Sequence, residues 1–286
     1  MDILLIEKTQ SQGHHRMKVQ NKIIVVTGGG NGIGRELVLR LLAKGAHVAA
    51  VDINEAGLKE TAELAGKKKD NLSLHVANVT DRAAVEALPG QVIAKHGAVD
   101  GLFNVAGIIQ PFVRIKDLEY AAIERVMNVN FYGTLYMTKT FLPHLLKRPV
   151  AHIANISSMG GFLPVPGQGI YGASKAAVKL MTEALHSELA NTNVRVTVIF
   201  PGAIGTNIAN NSGVGNTLTM PDDSQRQAIK PLAPSKAAEI IVKGVERDEY
   251  EILVGRDSAF MNFIYRVSSR RAARFISKQM ASLLPD

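Results

Sequence analysis

The sequence predicts a single doubly wound α/β domain, a central and mostly parallel sheet of seven strands flanked by helices. Three observations carry that prediction. Short, β-branched apolar runs alternate with longer segments of helical periodicity, the pattern of strand–helix–strand units. Most of the runs are continuously apolar, as strands covered on both faces must be. The first run leads directly into a glycine-rich turn and then a helix.

With 286 residues, 46% of them hydrophobic, the chain can fill one large core. Residues 1–20 read as an extension; because Met17 stands directly before KVQNKIIVVTGGG, residues 1–16 read as a dispensable tail. The strand candidates are Ile23–Thr27, His47–Asp52, Leu72–Val76, Gly101–Asn104, Ala151–Ile156, 194–200 and Glu251–Val254, within a domain spanning 21–258. After the first strand, Ile33, Leu37, Val38, Leu41 and Leu42 fall at helical spacing and form one apolar face. A helix is expected over 81–96, but Leu88-Pro89-Gly90 should break or kink it. Residues 206–223, rich in Asn, Gly and Ser, read as a mobile loop. There is no internal repeat.

Composition narrows the function. Zero cysteines exclude disulfides, zinc–thiolate sites and cysteine nucleophiles, and no metal site is expected. No apolar run reaches the roughly 18 residues of a membrane span. The amino terminus lacks the basic-then-apolar order of an export signal, so the cytoplasm is the simplest location. The formal charge is +8. Half of that excess lies in the last 26 residues, where Arg266, Arg270, Arg271, Arg274 and Lys278 face one acid, Asp286. In this tail (259–286), Ala272, Phe275, Ile276, Met280, Leu283 and Leu284 recur at helical spacing with the cations opposite. Such a helix packs on its own domain or a sister subunit in the favoured reading; lying on an anionic membrane is the alternative. No nucleic-acid partner is expected, since no stacking aromatics are interleaved with the cations.

The turn reads Thr27-Gly28-Gly29-Gly30-Asn31-Gly32-Ile33-Gly34. Glycines there let the backbone turn tightly and let a pyrophosphate approach, and the following helix start supplies free N–H groups. Asp52 ends the second strand about 20 residues later, where an acid accepts from the adenosine ribose hydroxyls and repels a 2′-phosphate. Ile53 and Asn31 are uncharged, so nothing beside Asp52 welcomes that phosphate, and NAD is expected over NADP. The alternative is that Asp52 merely begins the next helix.

Tyr171-Gly-Ala-Ser-Lys175 begins a helical run and places phenol and ammonium on one face. A phenol titrates near 10; a neighbouring ammonium should lower that value. The pair reads as proton-transfer machinery beside a hydride acceptor. Ser158 lies thirteen residues earlier at a strand end facing the ligand crevice, where it can hold a substrate oxygen; Ser157 competes for that role.

Taken together, the turn at 27–34, Asn104-Val105-Ala106-Gly107, Asn130, Ser158, Tyr171, Lys175 and Pro201-Gly202 resemble, in order and spacing, the short-chain dehydrogenase/reductase family over about residues 20–255. The resemblance implies a Rossmann-type domain and assigns roles. Gly28, Gly32 and Gly34 would shape the pyrophosphate turn, with Asn31 and Ile33 beside it. Asp52 and Ile53 would hold the adenosine ribose, and Asn78 and Val79 the adenine. Asn104, Ala106 and Gly107 would line the cofactor floor; Pro201, Gly202, Ile204 and Thr206 would border the nicotinamide. Tyr171 would be the general acid/base and Ser158 the substrate-orienting hydroxyl. Lys175 would bind the nicotinamide ribose, and Asn130 would hold a water linking Lys175 to solvent. Residues 206–232 would form a substrate lid, and helices carrying Asn130 and Tyr171 would build a homodimer or homotetramer. Two departures stand out: Asn78 where the family has Asp, and Val105 where it has a second Asn, so a sheet-stabilising hydrogen bond should be missing.

The expected reaction is hydride transfer between NAD(H) and a secondary alcohol/ketone. The alternatives are an NADP-dependent 3-oxoacyl-thioester reductase and, in another class, a non-catalytic NAD-binding sensor. Ile108, Ile109, Met159, Phe162, Leu163 and Ile208 are expected to flank the pocket, implying a substrate with an apolar body.

Overall fold

The computed structural model describes residues 16–214 and 231–280. Its seven strands fall where the apolar runs lie: β1 (Ile23–Thr27), β2 (His47–Asp52), β3 (Leu72–Val76), β4 (Gly101–Asn104), β5 (Ala151–Ile156), β6 (Val194–Pro201) and β7 (Glu251–Val254). All pair in parallel in the order β3-β2-β1-β4-β5-β6-β7. β1, β4 and β5 are buried almost throughout, which is why they lack polar alternation.

Helices cover both faces. On one side lie α1 (Gly32–Ala43) and α2 (Glu55–Ala65), joined by a later helix, Pro234–Glu246. Leu37, Leu41, Leu58, Ile241 and Val245 there pack on Ile24, Val26 and Val48 of the sheet. On the other lie α3 (Arg82–His96), α4 (Tyr120–Met127), α5 (Thr134–Leu145) and α6 (Gly169–Glu188). Leu88, Val92, Phe141 and Leu185 pack there on Val25, Leu102 and Ile153. A wide helical turn, Asn128–Gly133, joins α4 to α5. In chain order α7 is Ile208–Asn211, α8 is Pro234–Glu246, α9 is Arg256–Val267 and α10 is Ser269–Met280. No helix among the described residues is long and apolar enough to cross a membrane.

Two expectations are corrected. The core begins before β1: Met17 and Val19 are fully buried, and Val19 accepts from Lys22 N at 3.1 Å, so residues 17–20 belong to the domain. Helix α3 runs unbroken through Pro89. An internal proline costs roughly 3 kcal/mol, but the helix buries Val85, Leu88 and Val92 around it, each worth about 1.5–3 kcal/mol. Asp81 also secures the start, accepting from Ala83 N at 3.0 Å and Ala84 N at 3.2 Å. Beyond 258 the chain packs on its own domain, one of the two forms of the favoured reading. Met261, Ala272 and Ile276 form an apolar cluster with Leu163. Residues 1–15, most of the predicted lid and loop, and Leu283 and Leu284 lie outside the described residues.

Candidate active site

Strand order reverses between β1 and β4, and the crevice at the carboxyl ends of such strands is where open α/β sheets take ligands. A cavity of about 820 Å³ opens there. Gly28, Asn31, Gly32, Ile33, Gly34, Asp52, Ile53, Asn78, Val79, Ala106, Gly107, Ser158, Tyr171, Lys175, Pro201, Gly202, Ile204 and Thr206 all line it. Asn104 and Asn130 do not.

The glycine turn is built to be approached. A Cβ on Gly34 would collide with the carbonyl of Gly28, so only glycine lets α1 start this close to β1. Asn31 caps the helix, accepting from Gly32 N at 2.7 Å. Ile33 and Gly34 follow in the first turn, whose N–H groups have no intrahelical acceptor. Asp52 stitches the turn to the next loop, accepting from Gly30 N and from Asn54 N, both at 2.9 Å. The side-chain cap of α2 comes instead from Asn54, accepting from Gly57 N at 3.0 Å. Asp52 is therefore not the cap of that helix. Arg35, which sequence reasoning passed over, is the cation held against this turn. Its guanidinium donates to Gly30 O and to Glu60 Oε2 at 2.6 Å, and its side chain is 14% exposed.

On the floor, Thr27 Oγ1 accepts from Val105 N at 2.9 Å and Ala106 N at 3.1 Å, holding the exit of β4. Asn104 lies within the sheet layer, donating to Asn155 at 2.8 Å and Thr138 at 3.1 Å. Asn104 thus ties β4 to β5 and α5. Asn78 folds over its own turn, accepting from Thr80 N at 3.0 Å.

Asn130 is fully buried in the wide turn. Its amide donates to Ile108 O at 3.0 Å and Ser174 Oγ at 2.9 Å, and accepts from Ile108 N at 2.9 Å. This geometry clamps the loop after β4 to α6. Gly107 lies in between: a Cβ there would sit 3.1 Å from Lys175 Nζ and 3.3 Å from Asn130 Oδ1.

Ser158, Tyr171 and Lys175 converge on one wall. Ser158 hydrogen-bonds Tyr171 and also accepts from Gly160 N at 3.0 Å. Ser157 is buried, its hydroxyl donating to Lys175 O at 2.7 Å, and so holds α6 against β5. Lys175 Nζ donates to Ile156 O at 3.0 Å and is 4% exposed. Burial pushes its ammonium down to about 8. Burial raises the Tyr171 phenol, opposed by the Ser158 hydrogen bond. The net direction is upward, the opposite of the lowering expected from Lys175, because desolvation outweighs the Ser158 hydrogen bond.

Sequence reasoning missed a further residue. Gln110 is fully buried, and its Oε1 accepts from Ile170 N and Tyr171 N, both at 2.9 Å. Its Nε2 donates to Gly167 O at 3.0 Å, and Gln168 Nε2 donates to Gln110 O at 2.9 Å. The N-terminus of α6 has no local side-chain cap; Gln110 supplies one from sixty residues away. Asp257, at the start of α9, accepts from Ala203 N at 2.6 Å, next to Gly202. Of the expected apolar lining, Ile108, Ile109 and Ile208 face the cavity. Met159, Phe162 and Leu163 do not: they join the apolar cluster that Met261, Ala272 and Ile276 of α9 and α10 form.

A family model described as short chain dehydrogenase matches residues 22–216. The chain belongs to the short-chain dehydrogenase family. Among relatives of this dehydrogenase, the Mycobacterium tuberculosis protein SadH is 34% identical over 276 residues, covering 93% of this chain and 98% of its own. The 3-oxoacyl-[acyl-carrier-protein] reductase FabG of Thermotoga maritima is 36% identical, covering 66% of this chain and 77% of its own. A Burkholderia phymatum short-chain dehydrogenase/reductase solved with NAD superposes with a TM-score of 0.77 at 25% identity, covering 89% and 93% of the two chains. A Burkholderia cenocepacia short-chain dehydrogenase solved with NADP gives 0.76 at 23%, covering 91% and 99%. The protein is thus an oxidoreductase of this family, with a site for a nicotinamide cofactor.

Proposed function

We propose that the protein moves hydride reversibly between NAD(H) and a secondary alcohol/ketone with an apolar body, Tyr171 being the general acid/base. The observation that carries this reading is the convergence of Ser158, Tyr171 and Lys175 in the cavity that also holds the glycine turn and Asp52. The cavity fits a dinucleotide: a close-approach turn at one point, a carboxylate for ribose hydroxyls beyond it, and a buried cation at the other end. When bound, an oxidised nicotinamide supplies the hydride acceptor and one positive charge.

The chain's own residues then have distinct tasks. Ser158 donates to the substrate oxygen. Tyr171 gives a proton to that oxygen in reduction and takes one in oxidation. Lys175, with no carboxylate partner among the described residues, keeps positive potential beside the phenol and offers its ammonium to the nicotinamide ribose. Burial raises Tyr171, so it rests as a protonated acid at neutral pH; oxidation therefore accelerates with rising pH. Asp52 supports NAD, because Ile53 and Asn31 beside it carry no charge and Arg35 is committed to Glu60 and Gly30. The second reading, a 3-oxoacyl-thioester reductase, is favoured by the likeness to FabG.

Calorimetric titration with NADH and NADPH side by side tests the cofactor, with NADH expected at least tenfold tighter, about 1.4 kcal/mol. Equal or tighter NADPH, with turnover of an acetoacetyl thioester, would favour the second reading. Tyr171→Phe should lower kcat/KM on an alcohol/ketone panel by ~10²–10⁴-fold with NADH affinity kept. Undiminished turnover would remove Tyr171 from the chemistry, and NADH binding without turnover of any panel member would favour a sensor.

A further inference from the structure

The C-terminal helices present a surface that hydride transfer does not use. α10 spends its apolar face on its own domain, burying Ala272 and Ile276 against Leu163 and Met261. Its outer face carries Arg270, Arg271, Arg274 and Lys278, all exposed. None of the four has an acidic partner among the described residues, whereas Arg266, just before them, is held by Glu251 at 2.8 Å. The helix sequence, SRRAARFISKQM, contains no acid that could answer them.

Beside these cations lies an apolar patch. Phe260, Phe263 and Val267 share one stripe of α9 and are 54%, 67% and 66% exposed. Phe275 of α10 is 42% exposed, with its ring centroid 6.4 Å from that of Phe260. Singly exposed apolar residues need no explanation. Three phenylalanines and a valine in neighbouring positions, flanked by cations, mark an interaction surface.

We infer that this corner docks on an anionic lipid bilayer, the cations against the headgroups and the phenylalanines in the interfacial layer. A bilayer answers both halves of the surface at once, since it offers negative charge above an apolar phase. Charge attraction and inserted apolar side chains together are the pair of signals that stable peripheral anchoring requires. A second copy of the chain fits poorly: symmetric pairing through this patch would oppose two sets of four cations. Nucleic acid would answer the charge, but the phenylalanines form a patch beside the cations and are not interleaved with them as stacking platforms are.

Co-sedimentation of the full chain with vesicles tests the proposal, using equal phosphatidylserine and phosphatidylcholine against phosphatidylcholine alone. The chain should pellet with the anionic vesicles and be released by salt. Combined Arg270→Glu, Arg271→Glu and Arg274→Glu should weaken vesicle binding about a hundredfold, at roughly fivefold per cation removed. Phe263→Ser, which touches neither charge nor core, should weaken it independently, and NADH affinity should be unchanged in both variants. Equal pelleting with both vesicle types, or undiminished binding by the charge-reversed protein, would overturn the proposal. So would a change of mass in light scattering caused by Phe263→Ser without lipid, which would make the patch an interface between copies. Retention on duplex DNA as tight as on anionic vesicles, and insensitive to Phe263→Ser, would likewise overturn it in favour of a nucleic-acid surface.

Discussion

Two buried charges sit at opposite edges of the same sheet and are treated in opposite ways. At the amino-terminal edge, Asp100 is 1% exposed and fully answered. It accepts from Ile23 N at 3.0 Å and Arg148 Nε at 2.8 Å, with Lys22 at 4.0 Å. At the carboxyl edge, Lys175 is 4% exposed and has one carbonyl, Ile156 O, for company. A buried ion without a counter-charge is expensive. Such a charge is tolerated only where it has work to do: the paired one fastens the start of β1 and the turn after α5 to the entry of β4, while the unpaired one sits in the cleft beside the phenol it serves.

The largest effect should come from breaking the paired edge. Asp100→Ala leaves the Ile23 N–H unsatisfied and Arg148 without its acceptor. Because Arg148 is 33% exposed and can turn toward water, the loss should be about 3 kcal/mol, the low end for a broken buried pair. Urea denaturation measures it, and turnover of the folded variant should barely change. A loss below ~1 kcal/mol would mean that Asp100 contributes little more than an exposed pair and that the contrast between the edges is illusory.

The unpaired edge should respond with the opposite sign. Burial takes the Lys175 ammonium from 10.5 to about 8. Below pH 8 the lysine is charged in both folded and unfolded chains, and the folded state bears the whole burial penalty. Between pH 8 and 10.5 the unfolded chain binds more protons, so stability rises with pH across that window. A shift of this size corresponds to about 3 kcal/mol. Subtracting about 1 kcal/mol for the lost hydrogen bond to Ile156 O, Lys175→Met should stabilise the protein by ~2 kcal/mol at pH 7. It should also abolish the rise toward pH 10.5 and lower turnover sharply. Thermal unfolding against pH measures both arms; a destabilised Met variant would show that Lys175 is structural.

What the sequence disclosed, and what it hid, follows the same division between local and distant. The strands were legible because parallel strands buried on both faces must be apolar throughout. The glycine turn and the Tyr171/Lys175 pair were legible because their spacing is local: adjacent residues in one, one helical turn in the other. Pro89 misled because its local penalty is outweighed by Val85, Leu88 and Val92, whose burial depends on a sheet assembled elsewhere. Met159, Phe162 and Leu163 misled because their direction is set by α9 and α10, about a hundred residues on. Met17 read as part of the extension because a single apolar residue in a polar stretch gives no periodic signal. Its burial is a property of the neighbours it meets, among them Gly101.

Gln110 is the hardest of these to read, and it gives the smallest but most discriminating test. It supports the catalytic wall from across the fold, taking the N–H groups of Ile170 and Tyr171 with one amide oxygen. Gln110→Ala should leave those first-turn groups without an acceptor, at about 1 kcal/mol of stability, the value of a lost helix cap. If Gln110 sets the position of Tyr171, kcat should fall roughly tenfold, for about the same energy in the transition state, while NADH affinity stays constant. Gln110→Glu separates positioning from mere capping. A carboxylate keeps the acceptor for both N–H groups and suits a helix start, but it is buried and loses the donor to Gly167 O, so stability should stay below that of the unaltered chain. Its negative charge near the Tyr171 phenol should raise that group further, moving the pH–rate profile for alcohol oxidation to higher pH. An unmoved profile would mean that Gln110 holds the helix without acting on the phenol, whereas a displaced profile ties position 110 to the proton transfer itself.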